Sequence, residues 1–243
     1  MPVEISIVVP VFNEQENIAP LAAELVRVFA QEARPWELVL VDDASTDGTW
    51  AEIVKVQSAD TRVRGLRHQA NRGQSAAVWT GITRSEGRLV CTLDGDLQND
   101  PAELPRMLGR LGDLDFVSGR RTHRQDSWVR KLSSAVARSA RSWALGHDFA
   151  DTGCALRAFK RSTMEGLFPF NGLHRFLPIL VAAGGHRCLE IPVNHRPRVA
   201  GVSKYGVWNR LGRGVYDLIG VGWCLRRRLA PVGVTDSREA QFR

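Results

Sequence analysis

The sequence predicts an α/β fold, a mostly parallel sheet flanked by helices on both faces. Three observations carry that prediction. Short, continuously apolar runs rich in β-branched residues alternate with segments of helical spacing through the first half of the chain. Each of these runs leads into an acidic or polar turn, the pattern expected at the carboxyl ends of parallel strands, where such sheets bind ligands. The chain has 243 residues, 44% apolar and 24% charged, enough to bury a sizeable core without a disulfide or metal.

The elements follow in order. Ile5–Val11 is a β-branched run bounded by Asn13. The spacing of Ile18, Leu21, Ala22, Leu25, Val28 and Phe29 predicts a helix over Glu16–Gln31, with Pro20 tolerated in its first turn. Trp36–Val41 is a second buried-type strand, ended by Asp42-Asp43, and a helix starts at Thr46 and runs to about Ala59. Arg62–Arg67, Leu89–Leu93 and Asp115–Ser118 are the next strands, with helices at Ser75–Arg84 and Pro101–Leu111 between them. From about Gly119 the pattern loosens. Helices are expected at Ser127–Leu145, His174–Ala183 and Val207–Arg228, strands at Asp151–Phe159 and Cys188–Val193, and a polar hairpin at His195–Tyr205.

Charge is unevenly spread. Thirty-three Lys and Arg against twenty-six Asp and Glu give +7, and only four of the cations are lysine. Acids outnumber bases up to Asp115, so the excess lies in the second half. Arginine offers a planar fork suited to phosphate, which points to nucleic acid, a membrane surface or a phosphorylated substrate, or else to a merely solvated basic face. Nucleic acid is disfavoured, because the strand ends carry acids where a phosphate backbone needs bases. The longest apolar stretches fall far short of the ~20 residues of a membrane span, and the N-terminus has no basic region of a signal peptide. Cys91, Cys154, Cys188 and Cys224 lie far apart, which suits reduced thiols.

The first strand is not followed by G-x-G-x-x-G, and no G-x-x-x-x-G-K-[ST] occurs, so dinucleotide redox and P-loop chemistry fall away. Asp94-Gly95-Asp96, with Gln98 behind it, places hard oxygen ligands at a strand end, the donor type that Mg²⁺ or Mn²⁺ takes while keeping positions for water and substrate phosphates. The bland reading is an Asp-rich turn capping the next helix through Asn99 or Asp100. Asp42-Asp43 could accept from a nucleobase imide and a ribose hydroxyl, or simply form a turn and helix cap. Asn71-Arg72-Gly73-Gln74 is either a plain loop or a contact to the nucleotide. Four such strand ends on one edge favour a nucleotide site. Asp151 is a candidate base or a cap, and His174 and His195 could touch substrate but are read as structural, the commoner fate of a lone histidine. The helices Ser127–Leu145 and Val207–Arg228 mix tryptophan, leucine and arginine; they either lie in a membrane interface or pack on the core. For the second, the interface is favoured, with Trp208, Leu211, Val215, Leu218 and Trp223 entering lipid and Arg226, Arg227 and Arg228 on headgroups.

The stretches VVPVFNEQENI (8–18), VDDASTDGT (41–49), NRGQSAA (71–77), LDGDLQNDP (93–101), RQDSWVRK (124–131), DTGCALRAFKR (151–161), HRFLPIL (174–180) and RVAGVSKYG (198–206) carry a resemblance. Together they resemble family 2 glycosyltransferases of the Rossmann-like GT-A fold, in the branch of dolichol-phosphate mannose synthase. They are similar more closely to bacterial undecaprenyl-phosphate sugar transferases of the 4-deoxy-4-formamido-L-arabinose type. The matching stretches fall within a catalytic domain expected over residues 1–206; the residues themselves suggest an amphipathic interface helix over 207–230, a flexible tail over 231–243 and no transmembrane span, and the family's membrane-spanning C-terminal segments are unmatched. The resemblance implies that Pro10, Asn13, Glu14, Asp42 and Asp43 hold the nucleotide, with Arg72 and Gln74 beside them. Asp94, Asp96 and Gln98 would bind Mg²⁺ or Mn²⁺ and the diphosphate, and Arg120, Arg130, Ser134 and Arg198 would grip a lipid phosphate, with Lys204 a further contact. The implied reaction is inverting transfer of a sugar from a nucleotide diphosphate-sugar, UDP before GDP, to polyprenyl phosphate for cell-envelope glycans. The implied setting is the cytoplasmic face of the inner membrane, bound peripherally, with an oligomer left open. The rival within the fold is transfer to a soluble or polysaccharide hydroxyl, which needs a carboxylate base such as Asp151.

Overall fold

In a computed structural model the described residues are 2–122, 139, 141–197 and 207–228, the side chains of 207–213 excepted. Among the described residues seven strands form one sheet in the order β3-β2-β1-β4-β6-β5-β7. They are β1 (Ile5–Val11), β2 (Trp36–Asp42), β3 (Val63–Arg67), β4 (Leu89–Thr92), β5 (Phe116–Arg121), β6 (Arg157–Lys160) and β7 (Cys188–Val193). Pairing is parallel from β3 through β4, and β5 pairs parallel with β7. Only β6, antiparallel to both β4 and β5, runs the other way. The sheet is therefore mostly parallel, as the alternation predicts.

The helices are α1 (Gln15–Val28), α2 (Thr49–Ala59), α3 (Gln74–Arg84), α4 (Glu103–Leu108), α5 (Leu173–Ala183) and α6 (Val207–Arg226). Because side chains alternate along a strand, β1 feeds two cores at once. Ile5, Ile7, Val9 and Val11 face Ile18, Leu21 and Leu25 of α1, Ile53 of α2 and Leu104 of α4. Val8, with Val39 and Val41 of β2, faces Ala77, Val78 and Ile82 of α3 and Leu177 and Val181 of α5. Strands covered on both sides must be apolar at every position, which is why they read as unbroken runs.

The differences from the sequence expectation lie at element ends. The helix expected to reach Gln31 stops at Val28, where Phe29 turns inward and its ring meets Trp36 at 5.5 Å. The second helix begins at Thr49 rather than Thr46, because residues 42–48 form a turn bonded to the β1 loop. The strand expected over Asp151–Phe159 is only Arg157–Lys160; Asp151 and Thr152 sit in a turn in which the Cys154 amide donates to the Asp151 carbonyl. The helix expected over Pro101–Leu111 is confined to Glu103–Leu108. Of the Ser127–Leu145 helix, residues 139 and 141–145 are described and helical; the rest of it, most of the His195–Tyr205 hairpin and the tail after Pro231 lie outside the described residues.

Candidate active site

β1, β2, β3 and β4 are parallel, so Asn13-Glu14, Asp42–Ser45, Asn71–Gln74 and Asp94–Asp96 all emerge on one edge of the sheet. Three non-glycine residues on that edge have left-handed backbones: Asn13 (φ 55°), Ala44 (φ 61°) and Leu97 (φ 60°). Such conformations cost about 1–2 kcal/mol each for a residue with a Cβ and persist where surrounding contacts over-determine them. Here the contacts are visible. The Asn13 amide donates to Ser45 Oγ at 2.9 Å, the Thr46 amide donates to Asn13 Oδ1 at 2.8 Å, and the Glu14 amide donates to Thr49 Oγ1 at 2.8 Å. Asn13 and Glu14 therefore lock the β1 loop to the β2 loop.

The paired aspartates after β2 are buried and committed to the loops. Asp42 Oδ1 accepts the Ser45 amide at 2.9 Å, and its Oδ2 has Arg67 Nε at 3.1 Å, outside hydrogen-bond alignment. Asp43 accepts the Arg72 and Gly73 amides at 2.9 and 2.6 Å and contacts His68 Nδ1 at 2.7 Å. This carboxylate shapes the loop that carries the exposed Arg72, whose side chain is left to the edge. Of the two readings of these aspartates, turn former and nucleotide holder, the loop hydrogen bonds show the first.

Asp94 and Asp96 are half-buried on the loop after β4. Asp94 Oδ1 accepts from Gln74 Nε2 at 2.7 Å and its amide donates to Asn99 Oδ1; Asp96 Oδ1 accepts the Gln98 amide at 3.2 Å. Gly95 is needed between them, since a Cβ there would meet Val11 Cγ1 at 2.6 Å. The loop is braced from outside by Arg196, which donates to both Glu24 oxygens and to Asp100. Gln98 Nε2 donates to the Arg196 carbonyl at 3.4 Å and the Arg196 amide donates to the Gln98 carbonyl at 2.8 Å. Among the described residues no cluster of three or more His, Cys, Asp or Glu could hold a metal by itself. Two carboxylates on an open edge fit an ion that keeps waters and phosphate oxygens in its shell, the habit of Mg²⁺, and do not fit a caged structural metal.

Beside Asp94 lies a cavity of about 330 Å³, lined among others by Pro10, Gln74, Thr92, Asp94, Arg157, His174 and Arg175. Arg157 is a residue that sequence reasoning passed over, and His174 one that it left out of the catalytic set. Arg157 is buried, burial pushes its guanidinium down to about 10, and Nη2 donates to the Thr152 carbonyl at 2.9 Å. A cation interrupting the apolar run Leu156–Phe159 was the available signal. His174 Nδ1 lies 2.6 Å from Ser75 Oγ, ninety-nine positions away, and no local pattern announces that pair.

The remaining expected residues divide. Arg120 is exposed at the carboxyl end of β5, on the same edge. Asp151 does not stand ready as a base: both of its oxygens accept from Arg121, at 2.7 and 2.8 Å. The Ala150 and Asp151 amides donate in turn to Glu190. Arg130, Ser134, Arg198 and Lys204 lie outside the described residues. Burial holds Cys154 near 11 and Cys188 near 12, and all four cysteines are free, as their spacing led us to expect.

α6 departs from expectation at one position. Leu218 packs against the core rather than facing outward, while Val215, Tyr216, Ile219 and Trp223 form an outer face, each between 52% and 80% exposed. Leu218 follows Val221 and Leu225, the helix positions that meet the second core. The side chains of Trp208 and Leu211 are outside the described set. Arg226, Arg227 and Arg228 are exposed at the helix end. No helix among the described residues is long and apolar enough to cross a membrane.

A seven-stranded sheet of this order, with one antiparallel strand beyond the Asp-Gly-Asp turn, defines a GT-A-type glycosyltransferase fold. The family model described as glycosyl transferase family 2 matches residues 6–168, and the chain belongs to that family. It is 37% identical over 234 residues to the dodecaprenyl-phosphate galacturonate synthase of Rhizobium johnstonii, covering 94% of this chain and 69% of that protein. It is 36% identical over 218 residues to the undecaprenyl-phosphate 4-deoxy-4-formamido-L-arabinose transferase of Salmonella choleraesuis, covering 89% of this chain and 66% of that one. The chain thus spans about two thirds of the length of these relatives. Among solved structures, the mannosyltransferase of Pyrobaculum calidifontis with GDP-Man and Mn²⁺ aligns with a TM-score of 0.63 at 22% identity, over 95% of this chain and 68% of that one. Glucosyl-3-phosphoglycerate synthase of Mycobacterium tuberculosis with Mn²⁺, UDP and glucosyl-3-phosphoglycerate aligns with a TM-score of 0.65 at 18% identity, over 96% and 82%. These two share the fold.

Proposed function

We propose that this glycosyltransferase moves a sugar, with inversion, from a nucleotide diphosphate-sugar to a polyprenyl phosphate, UDP being favoured over GDP as the carrier. The observation that carries the reading is the pairing on one sheet edge of two hard carboxylates, Asp94 and Asp96, with a cavity lined in part by a buried cation, Arg157. The two curated relatives, whose names place sugars on polyprenyl phosphates, support the acceptor.

Pro10, Asn13, Glu14, Asp42, Asp43 and Arg72 form the nucleotide side of the edge, and Asp94, Asp96 and Gln98 the side for diphosphate and Mg²⁺ or Mn²⁺. When bound, the ion neutralises charge that gathers on the departing diphosphate. The acceptor is a phosphate monoester with a second pKa near ~6, so its oxygen is already a nucleophile at neutral pH. That oxygen attacks the anomeric carbon from the face opposite the leaving group; the new C–O bond forms as the bond to the nucleoside diphosphate breaks. No proton has to be removed, which agrees with an Asp151 carboxylate given over to Arg121 and weighs against the hydroxyl-acceptor rival. Bringing two anions together requires cations, and Arg120, Arg130 and Arg198, with Ser134 and Lys204, are the proposed grip on the lipid phosphate. The apolar outer face of α6 and the exposed arginines at its end support peripheral attachment to the cytoplasmic face of an anionic membrane.

The test is to incubate the protein with Mn²⁺ or Mg²⁺, undecaprenyl phosphate and radiolabelled nucleotide sugars, then count label in the organic phase. Label should appear only with both divalent ion and lipid, and Asp96→Ala should reduce it by about a hundredfold or more. Full activity in Asp96→Ala would refute the metal assignment, and label arising only on soluble acceptors would refute the lipid one.

A further inference from the structure

The Asp94–Gln98 turn is held by a stretch of chain far from it in sequence. β7 ends at Val193, and the residues just after it run beside the turn. His195 makes an antiparallel bridge with Asn99, and the Arg196 amide donates to the Gln98 carbonyl at 2.8 Å. The Asn194 amide donates to Glu103 Oε1 at 3.0 Å, and its Nδ2 donates to Asp100 Oδ2 at 3.3 Å. The buried Asn99 carries this seam inward, its Oδ1 accepting the Asp94 amide at 2.9 Å. Leu97 keeps a left-handed backbone (φ 60°), which persists where neighbouring contacts hold it.

The Arg196 side chain ties the seam to α1. Its Nη1 and Nη2 donate to Glu24 Oε2 and Oε1 at 3.0 and 2.8 Å, and Nη2 also donates to Asp100 Oδ1 at 2.7 Å. α1 is a firm anchor, since its Ile18, Leu21 and Leu25 are buried in the first core. The guanidinium is 34% exposed, and an isolated ion pair that open contributes little to stability. What a fork shared between two carboxylates supplies is geometry, which the point charge of a lysine does not reproduce. It also keeps two like charges, Glu24 and Asp100, from driving the turn away from the helix.

We infer that Arg196 is a positioning residue for the metal side of the site: anchored on Glu24, it sets the turn so that Asp94 and Asp96 meet the ion in one arrangement. The inference rests on the reading of those carboxylates as metal ligands and adds the residue that fixes their turn. Groups that hold a metal's ligands in place commonly govern its affinity by about 10–100-fold.

The experiment titrates Mn²⁺ against the full chain and follows UDP binding by calorimetry, for wild type, Arg196→Lys, Glu24→Gln and the double variant. Lysine keeps the charge without the fork, and glutamine keeps the length without the charge. In Arg196→Lys the Mn²⁺ concentration giving half-maximal UDP binding should rise about tenfold, while UDP affinity at saturating Mn²⁺ stays within about twofold. Glu24→Gln, which leaves the Arg196–Asp100 bond in place, should raise that midpoint by about threefold. The double variant should be no worse than Arg196→Lys alone, because both changes act through one anchor.

An unchanged midpoint in Arg196→Lys overturns the inference. Equal loss of UDP binding at every Mn²⁺ level, the mark of a general fold defect, overturns it too. Losses that multiply in the double variant overturn the anchoring through Glu24. Should the lysine variant not fold, the midpoint of Glu24→Gln decides on the same terms. UDP binding that ignores Mn²⁺ in wild type refutes the metal reading itself and this inference with it, an outcome distinct from a wild-type midpoint that the variants leave in place.

Discussion

At the residue scale, the Arg121–Asp151 pair shows how a tempting carboxylate is disarmed. The Asp151 side chain is 9% exposed and accepts two parallel hydrogen bonds from a guanidinium that is itself mostly covered. Removing one partner of a buried pair leaves an uncompensated charge, so Asp151→Asn should cost about 3–5 kcal/mol, measured by denaturant unfolding. A base would behave differently: the variant would keep its stability and lose only turnover. The edge acids Asp94 and Asp96 were legible in the sequence because a strand end followed by an Asp-rich turn is a local pattern. The pairing of His174 with Ser75 was not, because the two lie far apart along the chain.

At the element scale, α3 lies close against β1, and the closeness depends on Gly81. A Cβ at that position would lie 2.2 Å from Val8 Cγ1 and 3.1 Å from Val41 Cγ2, both stiff β-branched side chains in a packed core. Gly81→Ala should therefore destabilise the fold by about 1–3 kcal/mol, in contrast with the gain that Gly→Ala gives in an open helix; a thermal melt decides between them. α6 makes the opposite case, with one apolar side covered and one bare. Ile219→Glu places a charge on the bare side and spares the buried Val221. It should leave the melting temperature nearly unchanged and abolish flotation with anionic liposomes. Wild-type protein that stays wholly in the soluble fraction would refute the interface reading of this helix. Strand extents were legible because two-sided burial leaves unbroken apolar runs. Helix ends were less so: Phe29 stops α1 by turning onto Trp36, a contact outside any helical window.

At the scale of the whole molecule, carboxylates on scattered loops work together. Asp115 accepts the Arg187 amide and a hydrogen bond from Lys160, and these hold it below its ordinary value of 3.8. Asp60, through Arg62, and Asp47, through Thr49, are also lowered. A carboxylate lowered in the folded state stabilises it above the unfolded value, and that stability drains away as pH falls from there through the folded value. Stability should thus be flat above about pH 5 and fall below pH ~4, and Asp115→Asn should flatten part of the acid limb in urea titrations at several pH values. Loss of stability toward alkaline pH in the same range would contradict the sign.

By itself the sequence determined the layered α/β plan, the parallel run of its first four strands and the edge where polar residues gather. Periodicity and runs of burial are local records of which faces meet a core. Tertiary structure decided the rest. It inserted β6 antiparallel between β4 and β5, brought Arg157 to the cavity that Asp94 lines, spent Asp42 and Asp43 on loop bonds and Asp151 on Arg121, and turned His174 toward Ser75. A side chain's partner is set by which strands pair and which helices pack, and those choices join residues far apart in the chain, where local pattern carries no information.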